Sequence, residues 1–148
     1  MTKLSFLSLA LAALLGCGTD SADIATTPLA GMVGGQAWTF QAGHTDAFLS
    51  DGKPDYFATL YAEQFTPCGF APTGPHLIVA IPKATGDYEM GPMRNMTFVS
   101  DNDNKISFDG RIVVDTATPT TVSGGLVASF DGDNEVNGTF EVTVCPGQ

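Results

Sequence analysis

The sequence predicts an all-β fold: a single antiparallel β-sandwich or small β-barrel of about eight strands, with a C-terminal meander. Three observations point there. From Lys105 to Cys145, apolar and polar residues alternate in segments separated by short polar turns, the pattern of antiparallel strands with one buried and one wet face. Beyond residue 29 no long segment repeats its apolar residues every 3.6 positions, and Gly and Pro interrupt the chain often. The composition is rich in Gly and Thr and poor in Lys, which points to β structure.

The elements follow in order from Ala30. Gln36 to Ala42 alternates, with Trp38 and Phe40 on one face, and Gly34-Gly35 before it marks a bulge or turn. His44 to Pro54 reads as a loop. Asp55 to Phe65 is a strand of mixed phase, with Tyr56, Ala58, Leu60 and Ala62 on one face and Phe57, Tyr61 and Phe65 on the other. Thr66 to Pro75 is a Pro/Gly loop carrying Cys68. His76 to Ile81 holds the continuous run LIVAI, the pattern of a central strand buried on both faces. Asp87 to Met90 and Asn95 to Ser100 are short strands, and Asp101 to Asn104 is a turn. In Lys105 to Asp115, Ile106, Phe108, Ile112 and Val114 share the apolar face, opposite Lys105, Ser107, Asp109 and Arg111. Thr121 to Phe130 points Val122, Leu126, Ala128 and Phe130 inward; Asp131 to Asn134 turns the chain; the last strand points Val136, Phe140, Val142 and Val144 inward. That phase sets Cys145 off the core face, where a bond to the Cys68 loop would pin the C-terminus.

The first residues carry an address. Lys3 precedes an apolar, leucine-rich run from Leu4 to Leu15, then Gly16 and Cys17. A basic start, an apolar stretch of about a dozen residues and a small residue before a cut is the layout of a secretory signal, and the run is shorter than the roughly 20 residues of a membrane span. Leu14-Leu15-Gly16-Cys17 resembles the lipobox of bacterial lipoproteins. The resemblance implies cleavage before Cys17, a diacylglycerol on its thiol and an acyl chain on its new amino group. Two or more chains hold a protein stably to a bilayer where one holds it marginally. The expected organisation is a signal peptide over 1–16, the lipidated cysteine with a flexible tether over 17–29, and a β domain over 30–148. An aspartate after the cysteine would resemble the inner-membrane retention signal of enteric bacterial lipoproteins; Gly18 stands there instead, so the resemblance implies the outer over the inner membrane of a bacterial cell envelope. The β domain resembles uncharacterised β-rich domains of small bacterial lipoproteins, through a Gly-x-x-Trp-x-Phe-like opening strand (Gly35 to Phe40) and a closing Gly138-Thr139-Phe140. That resemblance implies a fold and no activity.

Charge excludes some partners. The chain carries 16 acidic and 6 basic side chains, a net charge of −10 at pH 7, and Lys3 leaves with the signal. Nucleic-acid binding needs a basic footprint, so it is excluded as a function class. Adsorption of the domain onto an anionic bilayer is disfavoured for the same reason, and the membrane contact falls to the lipid. With Cys17 acylated, Cys68 and Cys145 remain as an even pair in an oxidising compartment, and a disulfide is expected. The alternatives are Cys68 as a nucleophile with His76 as base, and two free buried thiols.

Motifs for chemistry are sparse. Asp101 and Asp103, and Asp131 and Asp133, set oxygen ligands densely enough for Ca²⁺, but the EF-hand spacing is not met, and Asp, Asn and Gly are also what tight hairpin turns select. His44, Asp46 and His76 form a second possible metal set, set against the simpler reading of exposed histidines. HExxH, G-x-S-x-G, P-loop and GxGxxG patterns are absent. Asn95-Met-Thr97 and Asn137-Gly-Thr139 match a glycosylation sequon that the bacterial signal makes incidental. Trp38, Tyr56, Phe57, Tyr61 and Phe65 are the aromatic candidates for stacking on a ligand or partner, against core packing as the alternative. The reading is a non-enzymatic, cofactor-free binding or interaction domain on an envelope lipoprotein, its partner an envelope protein or a small ligand. Its alternatives are a barrel-type carrier with Trp38 and the tyrosines inside, and a hydrolase with an unrecognised site.

Overall fold

The structure, a computed structural model, describes residues 23–101 and 103–147. The expected signal peptide and Cys17 lie outside the described residues.

Among the described residues the chain is nearly all β, and its strongly curled sheet forms a half-barrel. Eleven strands make it: β1 (Ala30–Val33), β2 (Gln36–Thr39), β3 (Ala42–Asp46), β4 (Asp55–Tyr61), β5 (His76–Pro82), β6 (Gly86–Glu89), β7 (Met96–Val99), β8 (Asn104–Ser107), β9 (Asp109–Ala117), β10 (Thr121–Asp131) and β11 (Asn134–Thr143). One short helix, α1 (Ala47–Ser50), links β3 to β4. The strand order is β6-β9-β10-β11-β3-β4-β5-β7-β8, with β1 pairing β11 and β2 pairing β1. The count exceeds the expected eight because one sharp corner cuts the Lys105 to Asp115 segment into β8 and β9, and because β1 and most of β3 lie outside the expected segments.

The curl brings the two ends of the sheet together. β6 lies at one end and β7 near the other, yet they are consecutive; β8 and β9 are separated by Phe108 alone. Ser107, buried in this corner, donates its hydroxyl to the Ser129 carbonyl of β10 at 2.5 Å and accepts the Asp109 N–H at 3.1 Å. Inside the curl the core is Leu29, Val33, Trp38, Leu60, Leu77, Val79, Ile81, Met96, Phe98, Ile112, Leu126, Phe140 and their neighbours.

Several expectations change. His44 lies on β3, and the stretch read as loop also holds α1, because Asp46 caps the helix by accepting the Leu49 N–H at 2.8 Å. β5 buries one face only: Leu77, Val79 and Ile81 are inside, while His76, Ile78 and Ala80 are partly exposed. The sheet is one curled layer, so its outer face has only loops and the short helix α1 to cover it. Ile106, Phe108 and Phe130 are about half exposed, not inward. The corner at Phe108 shifts the phase by one residue, turning Ser107 in and Ile106 out while Ile112 and Val114 stay in. A register shift between Ser129 and Asp131 releases Phe130, whose ring lies 5.6 Å from the Lys105 ammonium. The named strands pair antiparallel save at β11–β3, which run parallel, and Pro28 adds an isolated parallel bridge to Thr139. Of the tether expected over 17–29, residues 23–29 are described, and they lie along β11. Ala25 N–H donates to Asn137 Oδ1 at 2.7 Å, Leu29 N–H to the Thr139 carbonyl at 2.8 Å, and Leu29 is fully buried.

Candidate functional site

The outer face of β3 and β4 carries the site. Their register sets His44 opposite Thr59, Asp46 opposite Phe57 and Ala42 opposite Tyr61. Cross-strand partners share a face, and the alternate residues Gly43, Thr45, Ala58 and Leu60 are buried. His44, Asp46, Phe57, Thr59 and Tyr61 are therefore all directed outward. The chain after β4 then doubles back over this face. The Phe65 ring stands edge-on to both His44 and Tyr61, at 5.1 Å from each, and Tyr61 lies 5.1 Å from His76.

Cys68 reaches the same place. It takes φ +64, the one positive value among the described non-glycine residues, and its N–H donates to His44 Nδ1 at 2.9 Å. Cys145, just past the end of β11, donates its N–H to Thr45 Oγ1 at 3.0 Å. The two cysteines are joined by a disulfide with a Cα–Cα distance of 5.6 Å across 77 residues of sequence. As the phase of β11 requires, Cys145 stands off the core face and the bond pins the C-terminal end.

Beside the disulfide lies an open groove of about 630 Å³, bounded by His44, Asp46, Phe48, Asp51, Phe57 and the tail at Pro146. That is within the range of small-ligand and peptide sites. Phe48 is 88 % exposed, a large ring that α1 holds in solvent. α1 is fixed in turn: Ser50 Oγ donates to the Asp46 carbonyl and accepts the Phe57 N–H at 2.9 Å. Burial pushes the His44 imidazole below its ordinary pKa, an effect that the Asp46 carboxylate partly opposes. A neutral ring with Nδ1 accepting from Cys68 carries its proton on Nε2. Burial raises the Tyr61 phenol, opposed by its hydrogen bond with Thr59.

The structure gathers some of the expected residues and scatters others. Tyr61 and Phe65 meet on the outer face, where Tyr61 is buried, 7 % exposed, and so packed rather than free to stack on a ligand, while Phe57 lines the groove on the same face. Trp38 is in the core, 3 % exposed, its indole N–H donating to the Pro75 carbonyl at 3.1 Å. Tyr56 lies under the Lys83 ammonium, 5.2 Å from its ring centre, beside a smaller cleft of about 190 Å³. His44 and His76 flank Tyr61, but His76 Nδ1 is 2.9 Å from the Gly74 carbonyl, and the two do not join Asp46 in a ligand set. Asp103 pairs with Lys105. Asp131 Oδ1 accepts the Asp133 N–H at 3.1 Å and Asn134 Nδ2 at 2.9 Å, the bonding of a tight turn. Asp101 and Asp133 are exposed turn residues. Among the described residues the one group of three metal-ligating side chains is His44, Cys68 and Cys145, whose ligand atoms lie within 4.8 Å of one another. Two contributors were missed from sequence, Phe48 and Asp51; the signal was the Asp46 cap, too short a helix to show a period.

No helix among the described residues is long and apolar enough to cross a membrane. No family model, curated protein or solved structure matches the chain.

Proposed function

We propose that this chain is a lipid-anchored bacterial envelope protein whose β domain is a binding module, taking an extended, cationic and partly apolar segment of a partner protein in the groove beside the disulfide. The carrying observation is that groove. It sits outside a core-filled half-barrel, with Phe48 and Phe57 as stacking surfaces and the carboxylates of Asp46 and Asp51 at its edge. The aromatic rings favour an apolar or aromatic anchor, and the carboxylates favour Lys or Arg beside it. The chain's −10 charge draws a cationic partner from a distance. The carrier alternative loses support because Trp38 and its neighbours fill the interior that a ligand would need.

The test is selection of random peptides by phage display on the full chain, then on the Phe48→Ser and Asp51→Asn variants. Both positions are exposed, so neither change removes core packing. Enriched peptides should carry Lys or Arg next to an apolar residue and lose at least ten-fold in affinity on each variant. Enrichment that ignores both variants, or no enrichment, rejects the reading.

A further inference from the structure

We propose that the Cys68–Cys145 pair with His44 is a redox-gated site for a thiophilic d¹⁰ cation, Zn²⁺ or Cu⁺, closed as the disulfide and opened by a dithiol reductant. This stands apart from the peptide reading, since it uses the sulfur side of the groove and needs no organic ligand.

The geometry points to it in three ways. The His44 ring nitrogen and the two sulfurs already lie within 4.8 Å of one another. Tetrahedral zinc has bonds of about 2.3 Å to sulfur and about 2.0 Å to nitrogen, which sets two sulfurs and one nitrogen roughly 3.5 to 3.8 Å apart. Once the disulfide is broken the sulfurs move apart, and the imidazole nitrogen needs only a small approach for all three to share an ion. Second, the three ligands come from separate places, β3, the loop after β4 and the tail after β11, and without the disulfide these are still held by Cys145 N–H donating to Thr45 Oγ1 beside His44 and by the Phe65 ring packed edge-on to His44. Third, the site is accessible: Cys68 is exposed, Cys145 half-buried, and both line the groove. A reductant has a path in, and a fourth ligand position would open to the groove, where water or a partner atom completes the tetrahedron. Thiolate and imidazole together select zinc or Cu⁺ over Mg²⁺ or Ca²⁺.

The chemistry balances. A dithiol attacks the disulfide through a mixed disulfide and leaves as its own cyclic disulfide, passing two electrons and two protons to Cys68 and Cys145. The ion then binds two thiolates, releasing those two protons, and takes the imidazole lone pair of His44 in place of the Cys68 N–H.

The experiment uses the full chain carrying Cys17→Ser, so that only Cys68 and Cys145 supply thiols. Phosphine-reduced protein is titrated anaerobically with Co²⁺ as spectroscopic probe, then with Zn²⁺ in competition. One equivalent of Co²⁺ with thiolate-to-metal charge-transfer absorption is expected from reduced protein and none from oxidised protein. His44→Ala should weaken binding at least ten-fold, and Cys145→Ser should abolish the stoichiometric charge-transfer band. If reduction unfolds the chain, one equivalent of Zn²⁺ should restore its β circular dichroism. The proposal is overturned if reduced protein takes up no Co²⁺, if His44→Ala binds as tightly as the parent, or if an unfolded reduced chain is not restored by Zn²⁺.

Discussion

Thr143 of β11 pairs with His44 of β3, and this single parallel register joins the two halves of the sheet. On one side of the seam lie the ladders of β9, β10 and β11; on the other lie those of β3, β4 and β5. Parallel pairing is slightly weaker per residue than antiparallel, and here it is short. The Cys68–Cys145 bond and the two backbone-to-side-chain bonds at His44 and Thr45 reinforce the same place. The disulfide is therefore a staple across the weakest junction of the curl.

Removing it should cost stability and localise the damage. The Cys68→Ser, Cys145→Ser double variant frees a loop of 77 residues, worth about 4 kcal/mol on the chain-entropy account. Urea denaturation should show that loss, and hydrogen exchange should show early opening at Thr143 and His44 while the β10–β11 ladder stays protected. Unchanged protection at the seam would mean the bond holds only the tail. Mass spectrometry without reductant should find the two cysteine peptides linked.

Membrane attachment should depend on one sulfur. Cys17→Ser expressed in a bacterium that processes lipoproteins should move the protein from the membrane to the soluble envelope fraction, with loss of the acyl mass. A variant that still sediments with membranes would refute the lipid anchor.

The corner at Ser107 should be sensitive to one oxygen. Ser107→Ala leaves the Ser129 carbonyl and the Asp109 N–H without their buried partner, a loss of about 1 to 3 kcal/mol. The denaturation midpoint should fall, whereas Ser100→Ala, whose hydroxyl bonds the Asp103 carbonyl in an exposed turn, should change little. Equal effects of the two would show that the corner is not held this way.

Acid should reveal the β6–β9 edge. The Arg111 guanidinium hydrogen-bonds Asp87 and holds its carboxyl below the ordinary value. A folded-state value lower than the unfolded one gives stability that is present above the unfolded value, near pH 4, and lost as pH falls through the folded one. The pair is exposed, so the effect on the whole protein is small. Carboxyl NMR should place the Asp87 midpoint below the ordinary carboxylate value, and Arg111→Gln should raise it toward that value with little change in the urea midpoint. A midpoint indifferent to Arg111→Gln would exclude the ion pair in solution.

Much of the architecture is legible in the chain itself. The alternation of Val136, Phe140 and Val142 determines that β11 has one wet face, and the same phase sends Cys145 outward to bond Cys68. Alternation is a local property, set by the two-residue repeat of a strand, so it survives without knowledge of neighbours. The turns at Asp101 and Asp131 were equally readable, because their residue types answer to local backbone angles. What the tertiary structure alone decided is closure. Whether LIVAI is covered on one face or two depends on how many layers stack on β5, and a single curled sheet offers one. Whether Ile106 and Phe108 turn in or out depends on a one-residue slip at the corner, and Phe130 is turned out by the separate register shift between Ser129 and Asp131; a slip of one moves a side chain to the opposite face. The groove has the same origin. His44, Phe48, Phe57 and Cys145 are far apart in sequence and meet only because β3 lies between β4 and β11, a pairing that no local pattern encodes.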